Sequence, residues 1–221
     1  MNGNERLALG DNMIGIIDYG MGNTGSILNM LGRIGAESFI ATKASALRQA
    51  SKIILPGVGS FDNAVTRLRA SGFWDALHEE VLGRNKPVLG ICLGMQLLTR
   101  GSEEGDLPGL GWIPANTLRF KLGGPDQPAR KVPHMGWNEI KVLRSGGILQ
   151  EPEAGTLSRF YFVHSFHVVC DEEEHVLATA DYGYPFHAAI GTPGIIGVQF
   201  HPEKSHTFGM RLMARFAEMN P

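Results

Sequence analysis

One cysteine lies at the end of an apolar run, and a glycine stands two residues away on either side of it. Pro87–Ile91 predicts a buried strand, and Met95–Leu98 fits the start of a helix. The segment 90–94 between them, Gly-Ile-Cys-Leu-Gly, has the form of a sharp turn that exposes its central side chain. Free N–H groups at a helix N-terminus favour a thiolate, so Cys92 is a candidate nucleophile and the N–H of Leu93 a candidate oxyanion donor. A cysteine that only fills the core is the alternative interpretation.

A thiol nucleophile needs a base. His201 follows Gly197–Phe200, a short run that predicts another strand. Because the carboxyl ends of parallel strands meet at one edge of a sheet, we expect His201 on the same edge as Cys92. Glu203, two residues further on, is suited to orient the imidazole and to stabilise its charged form. Cys92, His201 and Glu203 are therefore the predicted catalytic residues.

The second cysteine and the other histidines are assigned no catalytic role. Cys170 follows two valines in strand-like sequence, which predicts a core or edge position. His164 and His167 flank Ser165 and Phe166 in strand-like sequence, where a spacing of three turns them to opposite sides and makes them poor partners for one metal. We expect His78 on an exposed helix, His134 in a loop and His206 at the start of the last helix.

Neither a metal nor an organic cofactor is expected. A zinc site of His201, Glu203 and His206 is the weakest of the alternatives. The glycine-rich segment 20–23 lacks the Gly-x-Gly-x-x-Gly pattern, and no phosphate-binding Lys-Ser/Thr follows it, so a dinucleotide or ATP site is not supported. Pro56–Gly59 ends another predicted strand, and its paired glycines are read either as a plain turn or as a source of a second oxyanion donor.

Strands and helices alternate over the first hundred residues, and this alternation predicts a parallel sheet with helices on both faces. The predicted strands there are Met13–Ile17, Ser38–Ala41, Lys52–Leu55 and Pro87–Ile91. Residues 101–158 are expected to form surface loops and short antiparallel strands. Strand-like sequence then returns at Phe160–Val163, Phe166–Val169, Val176–Thr179 and Ile195–Phe200, before a closing amphipathic helix that contains Leu212 and Phe216.

The composition excludes several classes of function. The 221 residues are 43% hydrophobic and 19% charged, as in a folded globular protein. Twenty Lys and Arg against 22 Asp and Glu leave no basic excess for nucleic acid or anionic lipid. Two cysteines make no disulfide framework. Neither a signal peptide nor a membrane-spanning stretch is expected, which favours a cytoplasmic protein.

Three segments taken together resemble the class I, triad-type glutamine amidotransferases. They are Pro56–Gly59, Gly90–Gln96 and Gln199–Glu203. The resemblance implies a flavodoxin-like α/β/α fold, in which a mostly parallel central sheet carries a small antiparallel extension. It also implies one type 1 glutamine amidotransferase domain over residues 13–221, preceded by a flexible leader at residues 1–12.

The same resemblance implies a role for each residue around the turn. Cys92 attacks the side-chain amide of L-glutamine, His201 transfers protons, and Glu203 holds His201. Ammonia leaves as a glutamyl thioester forms, and water then releases glutamate. Peptide groups that would stabilise the oxyanion are assigned to Gly57, Val58, Gly59 and Leu93. Contacts to the two ends of glutamine are assigned to Gln96, Glu104, Ser165 and Phe166.

Further segments are similar to the glutaminase subunit of imidazole glycerol phosphate synthase. They are Asp18–Asn23, Pro133–Asn138 and Tyr161–Ser165. This similarity implies a heterodimer with a (β/α)8-barrel cyclase subunit, which receives the ammonia and makes imidazole glycerol phosphate and the aminoimidazole carboxamide ribotide (AICAR) of histidine biosynthesis. The residues assigned to the interface are Met21, Asn23, Met135 and Trp137, and a buried loop tryptophan is the alternative for the last.

Other interpretations remain open at this stage. Asn23–Met30, Arg159–Cys170 and Asp181–Tyr184 look closer to a branch of the family that feeds amidine formation on surface-polysaccharide sugars. A cysteine peptidase or related hydrolase would use the same Cys–His pair. In a non-catalytic binding subunit, the cysteine would be inert.

Overall fold

The computed structural model describes residues 12–123, 130–150 and 158–219. Within these ranges the chain forms one mixed sheet of 11 strands with helices on both faces. The predicted leader, apart from Asn12, lies outside the described residues. The expected α/β fold is confirmed.

The strands are β1 (Ile14–Ile17), β2 (Ser38–Ala41), β3 (Lys52–Gly57), β4 (Val88–Cys92), β5 (Ala115–Arg119), β6 (His134–Val142), β7 (Ser158–His164), β8 (Phe166–Cys170), β9 (Val176–Asp181), β10 (Pro185–Thr192) and β11 (Ile195–Val198). The α-helices are α1 (Thr24–Arg33), α2 (Phe61–Ala70), α3 (Phe73–Leu77), α4 (Leu93–Leu97) and α5 (His206–Glu218). A π-helical turn, His78–Gly83, continues α3, and a 3-10 turn, Pro202–Lys204, precedes α5.

Five strands form the parallel half of the sheet, in the order β2-β1-β3-β4-β11. They are apolar almost throughout because both faces are covered. In β1, Ile14 and Ile16 pack in the core with α1 and α5, whereas Ile17 packs on the opposite face with α2 and α3. In the pairing of β4 with β11, Ile91 lies opposite Val198, so the chain leaves both strands at the same edge.

The antiparallel half of the sheet continues from β11 in the order β10-β9-β6-β7, and β8 joins it with β5 beside it. The chain passes from β7 to β8 through Ser165 alone. It also changes partners there, since β7 pairs with β6, whereas β8 pairs with β5 and β10. This half therefore brings several crossing strands against the edge where β4 ends.

Three expectations about histidines are wrong. His134 does not lie in a loop but begins β6. His164 and His167 do not turn to opposite sides, because Ser165 separates β7 from β8, and both rings pack against Phe120. His78 is half-buried, with its Nδ1 2.9 Å from the carbonyl oxygen of Trp74.

The close approach of β3 to the start of α4 gives a stability prediction. A Cβ added at Gly94 would lie 1.9 Å from the carbonyl oxygen of Leu55, and backbone cannot yield as a flexible side chain can. Gly94→Ala is therefore expected to lower the free energy of unfolding by about 3 kcal/mol or more, measured by urea denaturation.

Gly32→Ala is the matched control, since nothing lies within 4 Å of a Cβ added there in α1. It is expected to raise the free energy of unfolding by up to about 1 kcal/mol through helix propensity. Equal stability of the Gly94→Ala variant and the wild type would contradict the packing described for this turn.

Candidate active site

Cys92 adopts a backbone conformation that few non-glycine residues take, with φ at 54° and ψ at −108°. Its neighbours explain how the chain achieves it. A Cβ added at Gly90 would lie 2.6 Å from the carbonyl oxygen of Gly94, which itself approaches Leu55. The sharp strand-to-helix turn predicted from the two glycines is therefore present. It holds the cysteine at the N-terminus of α4, where the N–H of Leu93 has no partner within the helix.

His201 and Glu203 form a buried pair beside this turn. The Nδ1 atom of His201 lies 2.7 Å from Oε1 of Glu203, and the two side chains are 2% and 3% exposed. The 3-10 turn after His201 brings the carboxylate back toward the ring. Ser205 fixes this turn further, because its hydroxyl donates to the carbonyl oxygen of His201 at 2.6 Å.

The other ring nitrogen of His201, Nε2, is buried and has no hydrogen bond of ordinary geometry among the described residues. It interacts with Cys92, which lines the same cavity. Burial lowers the pKa of His201, but the hydrogen bonds and negative charges of Cys92 and Glu203 outweigh that effect and raise the pKa to about 10. This favours an imidazolium at neutral pH, which suits the partner of a thiolate.

The cavity above Cys92 has a volume of about 310 Å³. It brings together nine of the eleven residues assigned to catalysis, the oxyanion and glutamine: Val58, Gly59, Cys92, Leu93, Gln96, Glu104, Ser165, Phe166 and His201. The other two lie behind it. Glu203 contacts the far side of His201, and Gly57 packs under α4, where an added Cβ would lie 2.8 Å from the Cβ of Leu93.

Two polar side chains of this cavity are already held by hydrogen bonds. Gln96 Nε2 donates to the carbonyl oxygen of Phe166 at 3.3 Å and to Oε1 of Gln199 at 3.1 Å. Glu104 Oε2 accepts the N–H of Phe61 at the start of α2, at 2.9 Å. Both donor positions of the Gln96 amide are therefore used, and its oxygen is the atom left to accept from a ligand.

Sequence reasoning assigned no role to Gln199. Its side chain is fully buried, and its Nε2 lies 3.7 Å from Sγ of Cys92 while its Oε1 accepts from Gln96. It thus joins Cys92 to the cavity wall. The sequence feature that could have indicated a role for Gln199 is its position directly after a buried strand and two residues before His201.

The predicted interface residues lie at different depths. Met135 and Trp137 are 61% and 40% exposed on β6, so the alternative of a buried tryptophan is wrong. Asn23 is exposed and caps α1 by accepting the N–H of Ser26. Met21 is buried instead, and its terminal methyl group lies 2.9 Å from a Cβ added at Gly59, so this side chain supports that loop from beneath.

Cys170 lies away from these groups. It is 9% exposed at the end of β8, and burial raises the pKa of its thiol to about 12. Over the parts of the chain that the structure describes, no three His, Cys, Asp or Glu side chains are arranged to hold a metal ion. None of the helices in those parts has the length and apolar character that would let it cross a membrane.

Comparison with known proteins agrees with this geometry. The model of the family described as glutamine amidotransferase class-I matches residues 15–219. The chain belongs to the class I glutamine amidotransferase family, and it is an enzyme of that class.

Two named relatives are similar to the chain over nearly its whole length. A protein of Methanococcus maripaludis named imidazole glycerol phosphate synthase subunit HisH 2 is 49% identical over 208 residues, which cover 92% of this chain and 98% of that protein. A protein of Pseudomonas aeruginosa with the same name is 47% identical over 207 residues, which cover 94% and 100%.

Solved structures share the fold at lower identity. A crystal structure of a glutamine amidotransferase matches with a TM-score of 0.68 and 21% identity, covering 93% of this chain and 97% of that one. The structure of PurLQS from Thermotoga maritima matches with a TM-score of 0.68 and 16% identity, covering 93% and 97%.

The buried His201–Glu203 pair predicts a pH dependence of stability. The pKa of His201 is about 10 in the folded chain and near 6.5 in the unfolded chain. Protonation of His201 therefore stabilises the folded chain fully below about pH 6.5, and this stabilisation is lost as the pH rises through 10. In Glu203→Gln, the carboxylate is absent, so the pKa of His201 should fall. The deficit in free energy of unfolding relative to wild type should be largest below about pH 6.5 and shrink toward pH 10.

Urea titrations across this range, with an NMR titration of the His201 ring, measure both effects. A His201 pKa that does not change in Glu203→Gln would show that the carboxylate is not what raises it.

Proposed function

We propose that the chain is the glutaminase subunit of imidazole glycerol phosphate synthase and hydrolyses L-glutamine at Cys92. One observation carries the proposal: the nucleophile, its base and the predicted glutamine contacts line a single cavity of about 310 Å³. A peptidase would need room for a chain on both sides of the cleaved bond. The names of the relatives, which are subunits of that synthase, support the same activity.

In the proposed reaction, Cys92 Sγ attacks the carbonyl carbon of the glutamine side-chain amide. The N–H of Leu93 and a peptide N–H near Gly59 stabilise the oxyanion, and the positive φ of 99° at Gly59 lets this peptide unit turn at little cost. His201 gives a proton to the departing ammonia, which leaves a glutamyl thioester. It then takes a proton from water, whose oxygen attacks the thioester, so that glutamate is released and the Cys92 thiolate and the His201 imidazolium are restored.

The α-amino end of glutamine is proposed to be recognised by hydrogen-bond acceptors. Gln96 presents its free amide oxygen, and Glu104 presents a carboxylate whose second oxygen is anchored at the start of α2. Both suit an α-ammonium group. The α-carboxylate is then assigned to the backbone of Ser165 and Phe166 on the opposite wall.

Ammonia that escapes to water is protonated and ceases to be a nucleophile, so a synthase needs an enclosed route to its second site. We assign the docking surface of a (β/α)8-barrel cyclase subunit to Met135 and Trp137, because large exposed apolar side chains anchor interfaces. The cyclase would use the ammonia to form imidazole glycerol phosphate and AICAR. Amidine formation on a surface-polysaccharide sugar would use the same glutaminase chemistry with another partner.

The nucleophile assignment predicts a contrast between the two cysteines. Cys92→Ala is expected to lower the rate of glutamate release from glutamine at least about a thousandfold, since no other group can form the thioester. Cys170→Ala is the control and should leave the rate unchanged. Glutamate and ammonia, quantified with and without a cyclase subunit and in the absence of the molecule that accepts ammonia, should appear in equal amounts. Glutamine hydrolysis by Cys92→Ala at the wild-type rate would refute the proposal.

The identity of the molecule that receives the ammonia is tested by genetic complementation. The gene should restore growth without histidine to a strain that lacks its own glutaminase subunit but keeps the cyclase, and a Cys92→Ala copy should not. If an active wild-type enzyme fails to complement even with its native barrel partner, the histidine assignment is wrong and the sugar acceptor becomes the account to test.

A further inference from the structure

Two buried histidines and a half-buried asparagine form a directed chain of hydrogen bonds that ends in the cavity wall. Asn138 Nδ2 lies 3.3 Å from Nε2 of His134, and Nδ1 of His134 lies 2.9 Å from Nε2 of His164. Nδ1 of His164 lies 2.7 Å from the carbonyl oxygen of Phe166. The chain runs from β6 through β7 to the first residue of β8.

The direction of this chain follows from its first member. Asn138 Oδ1 accepts the N–H of Glu139 at 2.8 Å, so its NH2 group is the part that faces His134. His134 Nε2 must then accept, and its proton lies on Nδ1. His164 Nε2 accepts that proton's hydrogen bond, so His164 carries its own proton on Nδ1 and donates it to Phe166.

Both imidazoles are neutral, as this pattern requires. Burial lowers the pKa of His134 to about 4, with a smaller effect from the charge of Arg130. Burial likewise lowers the pKa of His164 to about 3, although the hydrogen bond to Phe166 acts in the opposite direction. Stacking against Phe162 and Tyr182 keeps the His134 ring in place.

The carbonyl oxygen of Phe166 is a junction between this chain and the cavity. It accepts from His164 and also from Gln96, whose amide in turn reaches Gln199 and through it Cys92. If this carbonyl rotated, Gln96 would lose one of the two bonds that turn its oxygen toward the cavity. The orientation of one peptide group therefore decides what the cavity offers to glutamine.

We propose that His164 is a positioning residue for glutamine, which fixes the Phe166 carbonyl and thereby the Gln96 amide, with His134 and Asn138 setting its tautomer. The inference rests on the proposed glutaminase function. It differs from a purely structural role because it predicts a loss of glutamine affinity without loss of reactivity at Cys92.

The test uses the full chain and 6-diazo-5-oxo-L-norleucine, an electrophilic glutamine analogue, with covalent labelling followed by intact mass. Saturation kinetics separate the binding constant KI from the maximal rate kinact. His164→Phe keeps an aromatic ring in the cluster but removes both nitrogens, and KI is expected to rise about tenfold with kinact within about threefold.

Two polar variants of this residue separate position from polarity. In His164→Asn, the amide NH2 stands where Nδ1 stood, and KI should return to within about threefold of wild type. In His164→Gln, the amide stands further out and misses Phe166, so KI should rise as in His164→Phe. His167→Phe, another ring packed on Phe120 but outside the chain, should leave KI unchanged.

The outcomes are distinguishable. A wild-type chain that is never labelled would end the proposed function and this inference together. A labelled wild type with an unchanged KI in His164→Phe and His164→Gln, or an equal loss in His164→Asn, would overturn the inference alone. If His164→Phe does not fold, the comparison of His164→Asn with His164→Gln decides.

NMR of the 15N-labelled wild type is independent of all variants. It should show the imidazoles of His134 and His164 protonated at Nδ1, and a proton on Nε2 of His164 would overturn the proposal.

Discussion

The site depends on a backbone that is forced into a strained conformation with positive φ at Cys92. Such a residue costs about 1–3 kcal/mol and persists only where its surroundings leave no alternative. Here β4 lies between β3 and β11, with apolar layers on both faces, and α4 starts so close to β3 that only glycine fits at position 94. The packing of the parallel half of the sheet thus holds the sulfur above the edge of the sheet.

The two halves of the sheet make different contributions to the cavity. The parallel half supplies the proposed nucleophile and base and the glycine loop, because β3, β4 and β11 end at one edge. The antiparallel half supplies the opposite wall, where Ser165 joins two strands with different partners. The proposed contacts to glutamine are shared between Gln96 and Glu104, which follow β4 in the chain, and this second wall.

Much of the parallel half could be predicted from the sequence because strands buried on both faces leave unbroken apolar runs. The sequence could point to Cys92 and His201 as candidates because a sharp turn needs small neighbours and because His201 directly follows such a run. The change of strand partners at Ser165 leaves no comparable signal, so the sequence pattern turns His164 and His167 to opposite sides, whereas both rings pack against Phe120. Strand β10 is not predicted either, because alanine, histidine and glycine interrupt its apolar pattern.

Polar contacts between residues that are distant in the sequence could not be predicted, for a related reason. Gln199 lies 107 positions from Cys92, and His134 lies 30 positions from His164. Such pairs form only because the sheet brings distant strands together, and no local pattern records the pairing. The buried glutamine and the neutral histidines therefore emerge only once the strand order is known.

The most direct test of the central claim is a crystal structure of the chain after reaction with 6-diazo-5-oxo-L-norleucine. The account predicts a bond from Cys92 Sγ to the ligand, with Nε2 of His201 beside the sulfur and the amino end of the ligand against Gln96 and Glu104. A ligand attached to Cys170, or bound at Cys92 with its chain directed away from that wall, would contradict it.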